Sequence, residues 1–153
     1  MEKWESVVNL KLGLNGEQIN DELSDVSSYI GIIEIDKLDK IIAFELPLCF
    51  ILYYQNHWIA FYITKTAIEI MDSTLTMWEN PPKEFINFLC FHQNKIIRSN
   101  PILQNNKTNL CALYCIHFVR ERYNSLLYKD ILSEFTDSTI CNDILIKNAV
   151  KIL

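Results

Sequence analysis

The sequence predicts an α+β fold, a sheet assembled from the middle of the chain and covered by helices from its two ends. Three observations predict it. Between residues 29 and 73, apolar runs rich in Ile, Phe and Tyr follow one another at strand length. After residue 79 the apolar stretches lengthen and carry helix-start signals. With 3 Gly and 4 Pro among 153 residues, a long flexible linker is not expected, and residues 1–153 read as a single domain.

Each element has its own reason. Turn chemistry at Asn15-Gly16 precedes helix formers, which predicts a short helix over 15–24. YIGIIEI (29–35) reads as a strand. Three apolar runs follow, IIAFEL (41–46), CFILYY (49–54) and HWIAFYIT (57–64), with QN (55–56) as the turn between the last two. AIEIMDS (67–73) is the next strand, after a polar turn at TKT. Strands at this spacing predict an antiparallel meander with both faces covered. In ENPPKEFINFLCFHQ (79–93), Asn80 is placed to cap a helix and Pro81 to occupy its first turn. KIIRS (95–99) is a short strand, and 104–110 is a polar loop. CALYCIHFVRERY (111–123) is helical and almost wholly apolar through Val119, so it is the buried central helix. Residues 127–135 and 139–152 read as closing helices.

Composition narrows the function classes. No stretch reaches the roughly 18 uninterrupted apolar residues of a membrane span; the longest candidate, 41–54, contains Glu45 and Pro47. The N-terminus, MEKWESVVNLKLG, lacks the layout of a signal peptide, so an intracellular, reducing compartment is expected. The 5 cysteines are odd in number and suggest no disulfide framework. Residues 1–80 carry 5 basic and 13 acidic side chains, and residues 81–153 carry 9 basic and 6 acidic, which together give the net charge of −5. The acidic half argues against nucleic-acid binding. The basic side chains of the second half (Lys95, Arg98, Lys107, Arg120, Arg122) read as a solvated surface first and as a face for an anionic partner second.

The chemistry gathers around Cys111, where the polar loop turns into the apolar helix. Packing is the simple explanation for a thiol. Nucleophilic catalysis is the other, because a helix N-terminus favours thiolate. A cysteine nucleophile needs a histidine base and a group to orient it, and there are 3 His. His117 lies six residues along the same helix and points about 120° away from Cys111. His92, at the end of the helix over 80–92, is a surface or cap residue. His57 opens a strand directly after a turn. Asp72 ends the next strand, near the same end of the hairpin, where a carboxylate can accept the imidazole Nδ1–H and fix the tautomer. Glu69 is the competing carboxylate, farther from that end. An oxyanion needs donors, and the Cys111 N–H and the Gln104 side-chain amide are the candidates. Taken singly, each of these residues has an ordinary structural explanation; their order and spacing together carry the signal.

That constellation resembles the adenovirus endopeptidase (adenain) family, in the same clan as the proteases of SUMO and other ubiquitin-like proteins. HWIAFYI (57–63) matches its His-Trp strand, IMDS (70–73) its acidic position, and QNNKTNLCALYCIHF (104–118) its Gln, loop, Cys and aromatic helix. SYIGIIEIDK (28–37) matches its N-terminal strand. The resemblance implies a central mixed sheet between helices with a buried Cys-bearing helix. It implies Cys111 as nucleophile, His57 as base, Asp72 orienting His57, and Gln104 lining the oxyanion hole. Trp58 and Ala112 would then border the substrate cleft. Ala112 departs from the family's usual Gly, which matters only if that position needs positive φ.

The function this resemblance implies is a thiol protease of viral or virus-derived origin, cutting Gly-containing sites in structural precursors during virion maturation. Its place would be the virion and the infected cell, nucleus or cytoplasm. The chain is expected to be a monomer without metal or other cofactor. A non-covalent activating peptide stays open as a partner, while the acidic charge argues against stimulation by DNA. Two other readings stay open: an isopeptidase acting on ubiquitin-like modifiers, and a binding module that keeps the fold without the chemistry. A metal site of Cys90, His92, Cys111, Cys115 and His117 is the weakest reading, because their spacing is not a usual zinc pattern. Cys49, Cys115 and Cys141 read as packing residues.

Overall fold

The computed structural model describes residues 13–41, 45–92, 95–98 and 102–150. In chain order the elements are helix α1 (Gly16–Glu22), strand β1 (Tyr29–Glu34), a 3-10 helix (Ile35–Lys40), β2 (Leu48–Tyr54), β3 (His57–Ile63), β4 (Ala67–Met71), the one-turn helix α2 (Thr76–Glu79), α3 (Lys83–His92), β5 (Lys95–Arg98), α4 (Cys111–Tyr123), the short α5 (Tyr128–Leu132) and α6 (Thr139–Ala149). The five strands form one sheet in sequence order. The fold is α+β with a mixed sheet.

The meander is antiparallel only in its middle. β2, β3 and β4 pair antiparallel. β1 joins β2 in parallel and β5 joins β4 in parallel, because each is separated from its neighbour by helix or loop long enough to return the chain to the same end. Gly31 sits at a register shift in β1, with φ +117, a conformation that L side chains rarely adopt. Of the run 41–46, residues 42–44 lie outside the described residues, and 45–47 form a bend.

Alternation along the strands sorts side chains to two cores. Cys49, Ile51, Ala60, Tyr62 and Met71 face α4, where every residue from Cys111 to Val119 is buried. Phe50, Leu52, Ile59, Phe61, Ile68 and Ile70 face the other way, onto Phe85 and Phe88 of α3 and Met77 of α2. Phe61 stacks on Phe50 at 4.8 Å and meets the edges of Phe85 and Phe88. Both faces are therefore covered, which explains strands apolar on both sides.

Helix boundaries differ from expectation: the helix expected over 15–24 ends at Glu22, and the one expected over 139–152 ends at Ala149. α3 starts at Lys83, not after Asn80, which instead follows α2 with φ −147 and ψ 75. Each residue before a proline is pushed out of the α region, so the tandem Pro81-Pro82 delays the helix. The first α3 amides donate to the Pro82 carbonyl, from Phe85 at 3.1 Å and Ile86 at 3.2 Å. The helix expected over 127–135 ends at Leu132, and two turn residues follow it.

Candidate active site

Local geometry at one end of the sheet delivers the side chains. Gln55 and Asn56 both have positive φ, 51 and 59, the two-residue turn whose twist suits a hairpin. His57 is therefore the first residue of β3, opposite Tyr54. β4 runs back and ends at Met71, so Asp72 arrives at the same end. Leu75, held left-handed at φ 58, then turns the chain into α2.

Asp72 is 1% exposed and His57 8%. One Asp72 oxygen, Oδ1, lies 2.7 Å from His57 Nε2. The other, Oδ2, accepts the Met77 N–H of α2 at 2.9 Å. The carboxylate thus bonds Nε2 rather than the expected Nδ1. Across the gap between strands the outer ring nitrogen reaches the neighbour's carboxylate. His57 also makes a hydrogen bond with the Cys111 side chain. Burial by itself pushes the imidazole pKa down, but the hydrogen bonds and charges of Asp72 and Cys111 outweigh it, and the value is pushed up to about 9. The protonated ring is the favoured form.

Cys111 is the first residue of α4, 3% exposed, and Leu110 before it offers no side-chain cap. First-turn amides of a helix have no carbonyl within the helix to bond. Cys115, one turn on, is a packing residue: burial pushes its thiol well above the ordinary value. Burial likewise pushes the Cys49 thiol up to about 11. Ala112 lies inside α4 with helical backbone and is absent from the non-glycine positions of positive φ, so its methyl group costs nothing there.

Gln104 reaches the same end by a hook. The backbone N–H groups of Leu103 and Gln104 both donate to the Ser73 carbonyl, at 2.9 and 3.0 Å. The Ser73 hydroxyl donates to Gln104 Oε1 at 2.6 Å. Gln104 Nε2 donates to the Thr108 carbonyl at 3.0 Å, with the Thr108 hydroxyl at 3.3 Å. The two Thr108 oxygens belong to one residue and can share one amide proton, which leaves the second proton of the amide for another acceptor.

Trp58 packs on Tyr53 at 4.6 Å between ring centroids and borders a cleft of about 360 Å³ with Gly13, Gly16, Asn56 and Asn109. The backbone at Gly13 comes so close that a Cβ there would lie 2.2 Å from Asn109 Nδ2, two residues before Cys111.

The other candidates lie elsewhere. Glu69 is taken by Arg122, which donates from Nε at 2.7 Å and from Nη2 at 3.1 Å while its guanidinium stacks over Tyr62. His117 faces Glu134 at 3.3 Å and Glu121 at 4.0 Å. His92 is half-buried against Phe88. Cys90 and Cys141 are exposed. Among the described residues, one group of three can present ligand atoms within 4.8 Å of one another, His117, Glu121 and Glu134, and it contains no cysteine.

Two residues escaped the sequence reading. Thr74 places its hydroxyl 3.1 Å from His57 Nε2 and 3.4 Å from Asp72 Oδ1, closing over the pair. Ser73 anchors Gln104. Their signal, an Asp-Ser-Thr run after a strand, is common in ordinary turns.

No protein-family model and no curated protein matches the chain. Among solved structures it is similar to the crystal structure of ASFV pS273R protease, with a TM-score of 0.64 and 14% identity, over 92% of this chain and 68% of that one. At that identity the likeness establishes the fold, which in this chain is a five-stranded mixed sheet flanked by helices. No helix among the described residues is long and apolar enough to cross a membrane.

Proposed function

We propose that the protein is a cysteine endopeptidase of the adenain type, with Cys111 as nucleophile, His57 as base, Asp72 orienting His57, and Gln104 with the Cys111 N–H as oxyanion donors. The observation that carries this reading is His57 held between the buried Asp72 carboxylate and the thiol at the start of α4. The fold shared with ASFV pS273R protease supports it.

In this mechanism His57 takes the Cys111 proton, leaving a thiolate–imidazolium pair. The sulfur attacks the scissile carbonyl, and the charge moves to its oxygen, facing the oxyanion donors. Collapse forms the thioester and breaks the C–N bond, and the leaving amine takes the proton from His57. A water molecule, deprotonated by His57, then attacks the thioester. The acid is released and the thiol regains its proton. The cleft bordered by Gly13, Trp58 and Asn109 is the proposed seat for a glycine next to the scissile bond. Precursor proteins of a virus are the proposed substrates.

The test is alkylation of the native protein with iodoacetamide across pH, mapped by mass spectrometry. Below pH 7, Cys111 is expected to react ahead of the exposed Cys90 and Cys141, and His57→Ala is expected to remove that lead. Reaction of Cys111 no faster than Cys141, with or without His57, refutes the assignment.

A further inference from the structure

We propose that Asp143 is a positioning residue for the Gln104 side-chain amide, acting through the Thr108 hydroxyl; the role rests on the oxyanion function proposed for Gln104.

Asp143 lies on α6, 39 positions beyond Gln104 in the chain, and is fully buried. Its carboxylate serves three donors and, among the described residues, no cation. The Tyr114 hydroxyl donates to Oδ1 at 2.7 Å. The Thr108 hydroxyl donates to Oδ2 at 3.0 Å, and the Asn105 N–H to the same oxygen at 3.3 Å. Burial pushes the Asp143 pKa up against the pull of these three bonds. A buried charge without a counter-ion is costly, and its three donors all belong to the loop and helix turn that flank Cys111.

The Thr108 hydroxyl explains what that cost achieves. It has one proton and two acceptors within reach, Asp143 Oδ2 and the Asn105 carbonyl, each at 3.0 Å. The charged acceptor makes the stronger bond. With the proton turned to Asp143, a lone pair of Thr108 Oγ1 is free for Gln104 Nε2 at 3.3 Å. The chain runs carboxylate, hydroxyl, amide, and each bond polarises the next. Ser73 fixes the oxygen end of the same amide. Both ends of Gln104 are thereby set before a substrate arrives. The chain from Asp143 through Thr108 to Gln104 includes neither His57 nor Asp72, so it can fail while thiol activation stands.

The test is a double-mutant cycle between Asp143 and Gln104, read by acylation of Cys111 with N-acetylglycine p-nitrophenyl ester. The step forms the thioester and releases p-nitrophenolate, and it needs the oxyanion donors. Direct loss of an oxyanion donor costs on the order of a hundredfold or more, so Asp143→Asn, acting at one remove, is expected to slow acylation about tenfold. In the Gln104→Ala background the same substitution should change the rate less than about twofold, because coupled residues are not additive. The pH profile of Cys111 alkylation by iodoacetamide should be unchanged in Asp143→Asn. Thr108→Ala runs the same cycle with the carboxylate and two of its three donors kept, and serves if Asp143→Asn folds poorly. An equal loss in both backgrounds, no loss at all, or a shifted alkylation profile overturns the proposal. If Gln104→Ala itself costs nothing, the oxyanion assignment falls and takes this role with it. If Gln104→Ala slows acylation and no coupling to Asp143 or Thr108 appears, the assignment stands and this proposal alone is refuted.

Discussion

Asp72→Asn is the most informative single change, because it leaves the shape of the site nearly intact and removes one charge. In the native protein His57 is raised from 6.5 to about 9, against its own burial. That difference corresponds to about 3 kcal/mol in favour of the imidazolium. An asparagine can still accept the Met77 N–H through its oxygen, and its NH₂ group then faces His57 Nε2. The ring must turn that nitrogen into an acceptor, which puts its proton on Nδ1. Without the carboxylate, burial is opposed by Cys111 alone, and the His57 midpoint is expected to fall well below 9. The sign follows for stability. A folded-state value above the unfolded one stabilises fully below pH 6.5, and the contribution disappears as pH rises through about 9. The stability difference between wild type and Asp72→Asn should therefore be largest near pH 6, up to about 3 kcal/mol, and shrink toward pH 10. Two assays read this. Histidine ring-proton NMR, with His57→Gln for assignment, gives the midpoints, and urea denaturation at several pH values gives the difference. The wrong tautomer should also slow any acyl transfer by about a thousandfold or more. A wild-type His57 midpoint near 6.5, or a stability difference that does not change with pH, refutes the reasoning.

Two further outcomes test the frame around the site. Glu69→Ala strands Arg122 over Tyr62 with one partner carboxylate lost, and should cost about 2–4 kcal/mol in urea denaturation; Cys111 alkylation should be unchanged, since the pair sits toward the far end of α4. Ala112→Gly, though it restores the residue usual in the resembled family, should lower stability by about 0.5–1 kcal/mol, because the position is helical; a gain in thermal midpoint would contradict that.

Most of the elements were legible because their signals are local. Continuous apolar runs of strand length located β2, β3 and β4, and Gln55-Asn56 located the hairpin turn that presents His57. The buried run from Cys111 to Val119 marked the central helix, and the polar-to-apolar joint marked the thiol at its start. The order of His57, Asp72, Gln104 and Cys111 pointed to one site, and the structure brings His57 to both Asp72 and Cys111, and Gln104 onto Ser73 beside Asp72.

Other features depend on partners distant in sequence, and no local pattern encodes them. Whether β1 and β5 run parallel to their neighbours is fixed by how the intervening helices return the chain. Which imidazole nitrogen meets Asp72 depends on the gap between two strands, not on the spacing of two letters. Ser73 and Gln104, 31 positions apart, meet because the loop hooks onto the strand end. Thr74, Thr108 and Asp143 are ordinary polar residues in the sequence. The sequence by itself determined the elements and the chemical types available, because propensity and periodicity act over a few residues. Only the tertiary structure decided which of those groups share protons, because a hydrogen bond requires atoms about 3 Å apart, and the folded chain alone sets that distance.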